Sequence, residues 1–287
     1  MTAFLHISPT AYLNKFCVGQ SHHLLLAHLI ESDEKYREWY RANKATNPDD
    51  VYIMDNSMFE MYKQGKPAYP SEKLLEMAQE VHADYIVLSD YPKEPFTKTI
   101  EAAQDLAPTF KNAGFKTFFV PQGEEGNLPQ LINSFRWAST SELIDYIGVS
   151  ILAVPLAYGF GIEKGNKLQR FLSRWHFMNL LDNQTSVLSN IVDHSKKLHF
   201  LGMVDGPNEI MLVHDFLGYI DTWDSSAAVW AGLNGISFDT TPSGLLDGKF
   251  EKHVDFAHDS ATDKDIALAF KNINIINGML ESYTGEH

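Results

Sequence analysis

The stretch Asp84–Asp90, DYIVLSD, decides the fold, and two others share its form: Lys116–Gln122, KTFFVPQ, and Tyr146–Ile151, YIGVSI. Each is a short apolar run without the in–out alternation of a half-exposed strand. Such runs suit strands covered on both faces, as in a parallel sheet. Working outward, similar runs stand at His22–His28, Val51–Asn56, Leu198–Val204, Tyr219–Ser225 and Asn234–Asp239. The segments between them carry helical spacing. Ser71 to Val81 places Leu74, Leu75, Ala78 and Val81 on one stripe, with Ser71 as N-cap. Pro207 to Leu217 spaces Ile210, Val213, His214 and Leu217 in the same way, with Pro207 at the helix start. Strand and helix in alternation predict an α/β protein. Eight such strands predict a (β/α)8 TIM barrel, one domain over residues 1–287, with an open doubly wound sheet as the competing arrangement.

The composition agrees with a folded chain. Of 287 residues, 44% are apolar and 21% charged, which excludes a disordered chain, a collagenous repeat and a coiled coil. One cysteine, Cys17, excludes a disulfide framework and any Cys-rich zinc site. No apolar run reaches the ~20 residues of a membrane span. The start, Met1-Thr2-Ala3-Phe4-Leu5-His6, lacks the basic and long apolar stretches of a signal peptide, so a cytoplasmic protein is expected. Lys and Arg number 23 against 37 Asp and Glu, a net charge of −14. That charge opposes indiscriminate binding to nucleic acid and leaves room for a local basic groove.

In a barrel the chemistry sits at the C-terminal ends of the strands. Those ends read Asp55-Asn56-Ser57, Ser89-Asp90, Gln122-Gly123, Gly148-Val149-Ser150 and Asp224-Ser225. Three carboxylates without a histidine partner suit displacement at a sugar carbon, one attacking the anomeric centre and another handling protons. A carboxylate beside a carboxamide can read a purine edge, because the pair presents both acceptors and a donor. Together these functions describe exchange of a base on a nucleoside.

The same residues resemble the tRNA-guanine transglycosylase superfamily. Asp55-Asn56-Ser57-Met58-Phe59-Glu60 resembles its Asp-Ser-Gly-Gly-Phe/Tyr-Gln motif, and Asp90 stands where the family has Asp-Glu. Pro121-Gln122-Gly123 resembles Val-Gln-Gly, and Gly148 to Val154 resembles Val-Gly-Gly-Leu-Ala-Val. His199 to Val204 with Pro207 to Ile210 resembles the family's next strand and helix, and Tyr219 to Ser225 its nucleophile stretch. Ile273-Asn274-Ile275 resembles its last helix. The resemblance implies that Asp224 is the nucleophile and Asp55 the general acid/base. It further implies that Asp90, Gln122 and backbone groups of Ser150 and Ile151 bind the base, with Phe59 stacked on it.

The departures narrow the branch. Where tRNA-directed members carry Cys-x-Cys-x-x-Cys…His, this chain reads Lys252-His253-Val254-Asp255-Phe256-Ala257-His258-Asp259. His253 and His258 do not replace that module, so no metal and no cofactor is expected. Ser226 to Gly232 stands in place of the Arg-rich stretch after the nucleophile. A member without the zinc module is similar to the DNA-guanine transglycosylases (DpdA type) of 7-deazaguanine DNA modification, found in bacteriophages and bacterial modification islands. For such a member the expected partners are DNA, single-stranded or with the guanosine flipped out, and a free 7-deazaguanine base, with no membrane. A phage-encoded copy would work in the host cytoplasm. Pro155-Leu156 replaces the Gly-Glu of queuosine enzymes, and the missing acceptor favours a neutral substituent such as the nitrile of a preQ0-like base. Ser57-Met58 in place of Gly-Gly narrows the space near Asp55.

For the polymer, Glu163 to His176 places Lys164, Lys167, Arg170 and Arg174 on one helix face, with Phe171 and Trp175 elsewhere, a candidate for phosphate contact. Lys249, Lys252 and His253 are a second candidate. The expected activity is therefore a pentosyltransferase that replaces guanine in DNA. The alternatives are the same exchange on tRNA, a non-catalytic nucleic-acid-binding subunit, and an unrelated barrel hydrolase.

Overall fold

In the computed structural model, which describes residues 2–63, 65–160, 167–203, 206–240 and 254–284, the apolar runs become short parallel strands. These are β1 (Ala3–His6), β2 (His22–Leu26), β3 (Val51–Asp55), β4 (Tyr85–Val87), β5 (Lys116–Phe119), β6 (Tyr146–Ser150), β7 (Lys197–Leu201) and β8 (Thr222–Ser225). Their order in the sheet is β1-β8-β7-β6-β5-β4-β3-β2, each neighbour parallel. β1 and β2 lie side by side without ladder bonds, so the barrel is nearly closed. An open doubly wound sheet would reverse its strand order at a switch point, and this one does not.

Helices cover the outside. α1 (Leu13–Phe16) joins β1 to β2; α2 (Ala27–Ser32) and α3 (Glu34–Thr46) lead to β3; α4 (Met58–Lys63) and α5 (Ser71–Glu80) lead to β4. α6 (Phe96–Asn112) and α7 (Leu128–Thr140) precede β5 and β6. α8 (Ala153–Ala157), α9 (Lys167–Gln184) and α10 (Val187–Asp193) fill the crossover to β7, and α11 (Asn208–Leu212) the one to β8. α12 (Ala227–Leu233) and α13 (Asp263–Thr284) follow, and α13 reaches back to β1 where Asn277 meets His6 Nε2 at 3.0 Å.

Several expectations are corrected in detail. Asn234–Asp239 is not a strand: its backbone is spent on a helix end and on one side chain. The Ile236 amide closes on Ala231 O at 2.9 Å, Gly235 takes φ +79, and Asn272 of α13 accepts from the Phe238 amide and donates to Ile236 O. The eighth strand is instead β1, which pairs with β8. Ser71 is the first helical residue after Pro70 and makes no capping bond, whereas Asp33 accepts from the Lys35 and Tyr36 amides and caps α3. The stretch from Pro207 to Leu217 divides into α11 and a 3-10 segment, His214–Tyr219. Val204, at the end of one predicted run, lies outside the described residues.

An aspartate precedes β4, β6 and β8, and each holds the strand before it. Asp84 accepts from the Tyr52 amide at 2.7 Å, Asp145 from Thr117 at 2.8 Å and Asp221 from Leu198 at 2.8 Å. These acids satisfy the first free amides of β3, β5 and β7 and set the register at the base of the barrel. Above them Tyr85, Phe118, Tyr146 and His199 fill the interior in ring contact. Gly148 makes room for that packing, since a Cβ there would stand 2.8 Å from the Phe118 ring and 2.7 Å from Leu201 Cδ1.

Charge is buried at the other end. Arg174 of α9 is fully buried and pairs with Glu209 of α11, equally buried, through two bonds of 2.7 Å. Its remaining donors take the carbonyls of Val149, Leu201 and Gly202 at 3.1, 3.0 and 2.7 Å. The guanidinium lies over Phe200, 4.7 Å from the ring centre. Arg174 therefore ties two helices to the ends of β6 and β7. Removing one partner of such a pair strands a buried charge, whereas replacing both by apolar groups does not. Arg174→Met should lower the unfolding free energy by about 3–5 kcal/mol, and Arg174→Met with Glu209→Leu by much less. Urea denaturation of both variants checks this, and equal losses would refute it.

Candidate active site

The strand ends form the mouth of the barrel, and each acid arrives there on a different strand. Asp224 lies in β8, is nearly buried, and accepts through one oxygen, Oδ1. The donors are His199 Nε2 at 2.9 Å and the Gly202 amide at 3.1 Å. Gly202 can present that amide because its φ is +72 and because a Cβ would stand 2.9 Å from Ile151 Cγ2. Behind His199, Nδ1 meets Thr222 Oγ1 at 2.5 Å, and Thr222 Oγ1 meets Tyr146 Oη at 2.6 Å. The expectation of carboxylates without a histidine partner is thus corrected: Asp224 has one. His199 stands two residues before Leu201 on the inner face of β7, and its register partner is Thr222. The sequence signal was a histidine at an inward position of a buried strand.

Asp55 ends β3, and its Oδ2 accepts from the Ser57 amide at 2.8 Å. Burial first, then the charge of Glu60, push its carboxyl well above the ordinary carboxylate value. Asp90 and Asp224 add to the same effect, so the three sequence-predicted acids share one electrostatic neighbourhood. Ser57 is fully buried in the left-handed region at φ 54 and turns its hydroxyl to His28, 3.0 Å from Nδ1. His28, half-buried at the mouth, was not singled out from sequence.

Asp90 and Gln122 come together as predicted, and Asn56 joins them. Asp90 accepts from Gln122 Nε2 at 2.5 Å and from Asn56 Nδ2 at 2.9 Å. Asn56 also donates to Leu88 O and accepts from the Met58 amide. Burial raises the Asp90 carboxyl to about 6 against the pull of both amides. Gln122 is buried, and its Oε1 has no hydrogen-bond partner among the described residues. A buried carbonyl oxygen left open beside an acid is an edge prepared for a ligand that donates to one group and reaches the other.

The remaining predicted residues divide. Ser150 Oγ accepts from the Leu152 and Ala153 amides, and the Ile151 amide donates to Leu201 O at 3.1 Å, so that hydroxyl oxygen and that amide are engaged within the chain. Arg174 is no phosphate contact. The helix turns it inward onto Glu209, while Leu168, Leu172 and Trp175 face solvent. Arg170 is half-buried on the same helix. Lys164, Lys249, Lys252, His253 and the side chains of Phe59 and Lys167 lie outside the described residues. Among the described residues no group of three or more His, Cys, Asp or Glu is arranged to hold a metal ion, and no helix is long and apolar enough to cross a membrane.

A raised folded-state value means that folded Asp90 holds its proton more tightly than the unfolded chain does. Its contribution to stability is present below about 4 and lost as pH rises through about 6. Asp90→Asn removes this titration. Measured by urea unfolding, the variant should gain stability relative to the parent between about pH 4 and about pH 6. A difference independent of pH would refute the placement.

No family model matches the chain, and no curated protein matches it. Among solved structures, a protein of Aquifex aeolicus VF5 known from a structural study is similar over 97% of this chain and 92% of its own, at 10% identity and a TM-score of 0.50. An HpcH/Hpal aldolase/citrate lyase family protein from Burkholderia cenocepacia J2315 is similar over 80% of this chain and 88% of its own, at 10% identity and a TM-score of 0.49. A mandelate racemase/muconate lactonizing enzyme from Roseiflexus sp. aligns over 78% of this chain and 54% of its own, at 11% identity and a TM-score of 0.46. The near-full-length likeness to the Aquifex protein shows the fold, a (β/α)8 barrel.

Proposed function

We propose that this chain is an enzyme, a pentosyltransferase that replaces guanine in DNA by a 7-deazaguanine through a covalent bond to Asp224. One observation carries the reading: at a single mouth, an acid aimed by two donors on one oxygen stands with an acid whose proton is held tightly, beside a buried amide–carboxylate edge.

Each part has its step. Both hydrogen bonds to Asp224 among the described residues go to Oδ1, which leaves Oδ2 to attack C1′ of the target nucleotide. The C1′–N9 bond breaks, its electron pair leaves with guanine, and Asp55 supplies the proton guanine needs. The incoming 7-deazaguanine then yields its N9 proton to Asp55, N9 attacks C1′, and Asp224 departs. Two inversions retain the configuration of the sugar. Asp90 suits the ring N–H and amino group of a guanine edge, and Gln122 presents the open acceptor beside it. Leu156 is buried and apolar, and its carbonyl accepts from the Gly126 and Gly159 amides at 2.9 and 2.8 Å, so Leu156 offers no free acceptor to an aminomethyl cation, which favours a neutral 7-substituent. The choice of DNA over tRNA rests on the absence of the cysteine module from the sequence.

Exchange of radiolabelled guanine into DNA and, separately, into tRNA tests the proposal. DNA alone should be labelled, and labelled tRNA would favour the tRNA-directed alternative. Asp224→Asn should abolish exchange with circular dichroism unchanged, and Asp55→Asn should slow it by about 10²–10⁴. Exchange by Asp224→Asn within about tenfold of the parent would overturn the assignment.

A further inference from the structure

The side chains behind Asp224 are buried and hydrogen-bonded in sequence. His199 and Tyr146 are fully buried and Thr222 nearly so. Such a chain admits few arrangements of its protons. Asp224 Oδ1 is an acceptor, since it takes the Gly202 amide, so the ring nitrogen facing it must be the one that carries hydrogen. If Nδ1 also carried a proton, it would donate to Thr222 Oγ1. Whichever hydroxyl then donated to the other, that of Thr222 or that of Tyr146, the second hydroxyl hydrogen would be left without an acceptor. Thr222 is the only hydrogen-bond partner of that phenol among the described residues, so the result would be a buried unpaired donor. With Nδ1 bare, every proton has an acceptor: Tyr146 donates to Thr222, Thr222 to Nδ1, and Nε2–H to Asp224.

We propose that Tyr146, Thr222 and His199 form a directional hydrogen-bond relay that fixes the Nε2–H tautomer, making His199 the positioning residue that holds Asp224 Oδ1 and turns Oδ2 toward the sugar. The relay ends against the rings of Tyr85 and Phe118, inside the barrel, so it orients and does not conduct protons. The role given to Asp224 rests on the proposed base exchange; the tautomer does not.

Two measurements test it. In the whole protein labelled with nitrogen-15, NMR of the His199 ring, assigned by its loss in His199→Gln, should show a protonated Nε2 and a bare Nδ1, and Thr222→Val should shift the Nδ1 signal. A protonated Nδ1 in the parent would overturn the relay. In the exchange assay, His199→Phe should lower kcat on the order of 10–100-fold with KM little changed. His199→Gln, whose amide nitrogen can occupy the place of Nε2, should recover most of that loss. Equal kcat in the two variants would overturn the positioning role. A parent that exchanges no base while keeping the Nε2–H tautomer would refute the base-exchange reading and support the relay.

Discussion

The mouth of this barrel depends on one buried ion pair. Arg174 and Glu209 sit out of water, where two charges are costly unless their hydrogen-bonding groups are satisfied. Satisfaction comes from carbonyls at the ends of β6 and β7, which are thereby drawn to one point. Gly202 is held on both sides. Its carbonyl accepts from Arg174 and from Trp223 Nε1, each at 2.7 Å, and its amide, through the left-handed turn, points at Asp224. A charge buried among helices thus fixes the direction of a carboxylate one layer away.

The barrel uses aspartate in opposite ways at its two ends. At the base, Asp84, Asp145 and Asp221 accept strand amides and are part of the ladder. At the mouth, Asp224, Asp55 and Asp90 differ from one another in their surroundings. Asp224 has two donors on one oxygen, Asp90 is braced by amides on both oxygens, and Asp55 has a single backbone donor with further acids nearby. Environments that push like groups apart are how one residue type comes to serve as nucleophile, acid and binding group.

α9 shows why helical spacing alone misleads about a surface. Lys167, Arg170 and Arg174 fall on one stripe, the pattern of a basic face. The stripe points toward the strand ends at Arg174, and the outer face carries Leu168, Leu172 and Trp175. The periodicity tells which residues share a face; only the packing tells which face is inside.

Much of the fold is legible in the sequence. The double-sided apolar runs required a parallel sheet, because a strand covered on both faces cannot alternate, and their alternation with helices required crossovers. Asp55, Asp90, Gln122 and Asp224 stood at strand ends in the sequence and stand at one mouth in the fold. β1 is not legible in the sequence because four residues carry little pattern, and Asn234–Asp239 resembles a strand because a helix end can also be apolar. The histidine behind Asp224, the open oxygen of Gln122 and the burial of Arg174 belong to tertiary structure alone. Each arises from residues 25 to 35 positions apart that meet across neighbouring strands or helices. Whether a charged or polar atom finds a partner is set by that meeting in space, which local spacing along the chain does not encode.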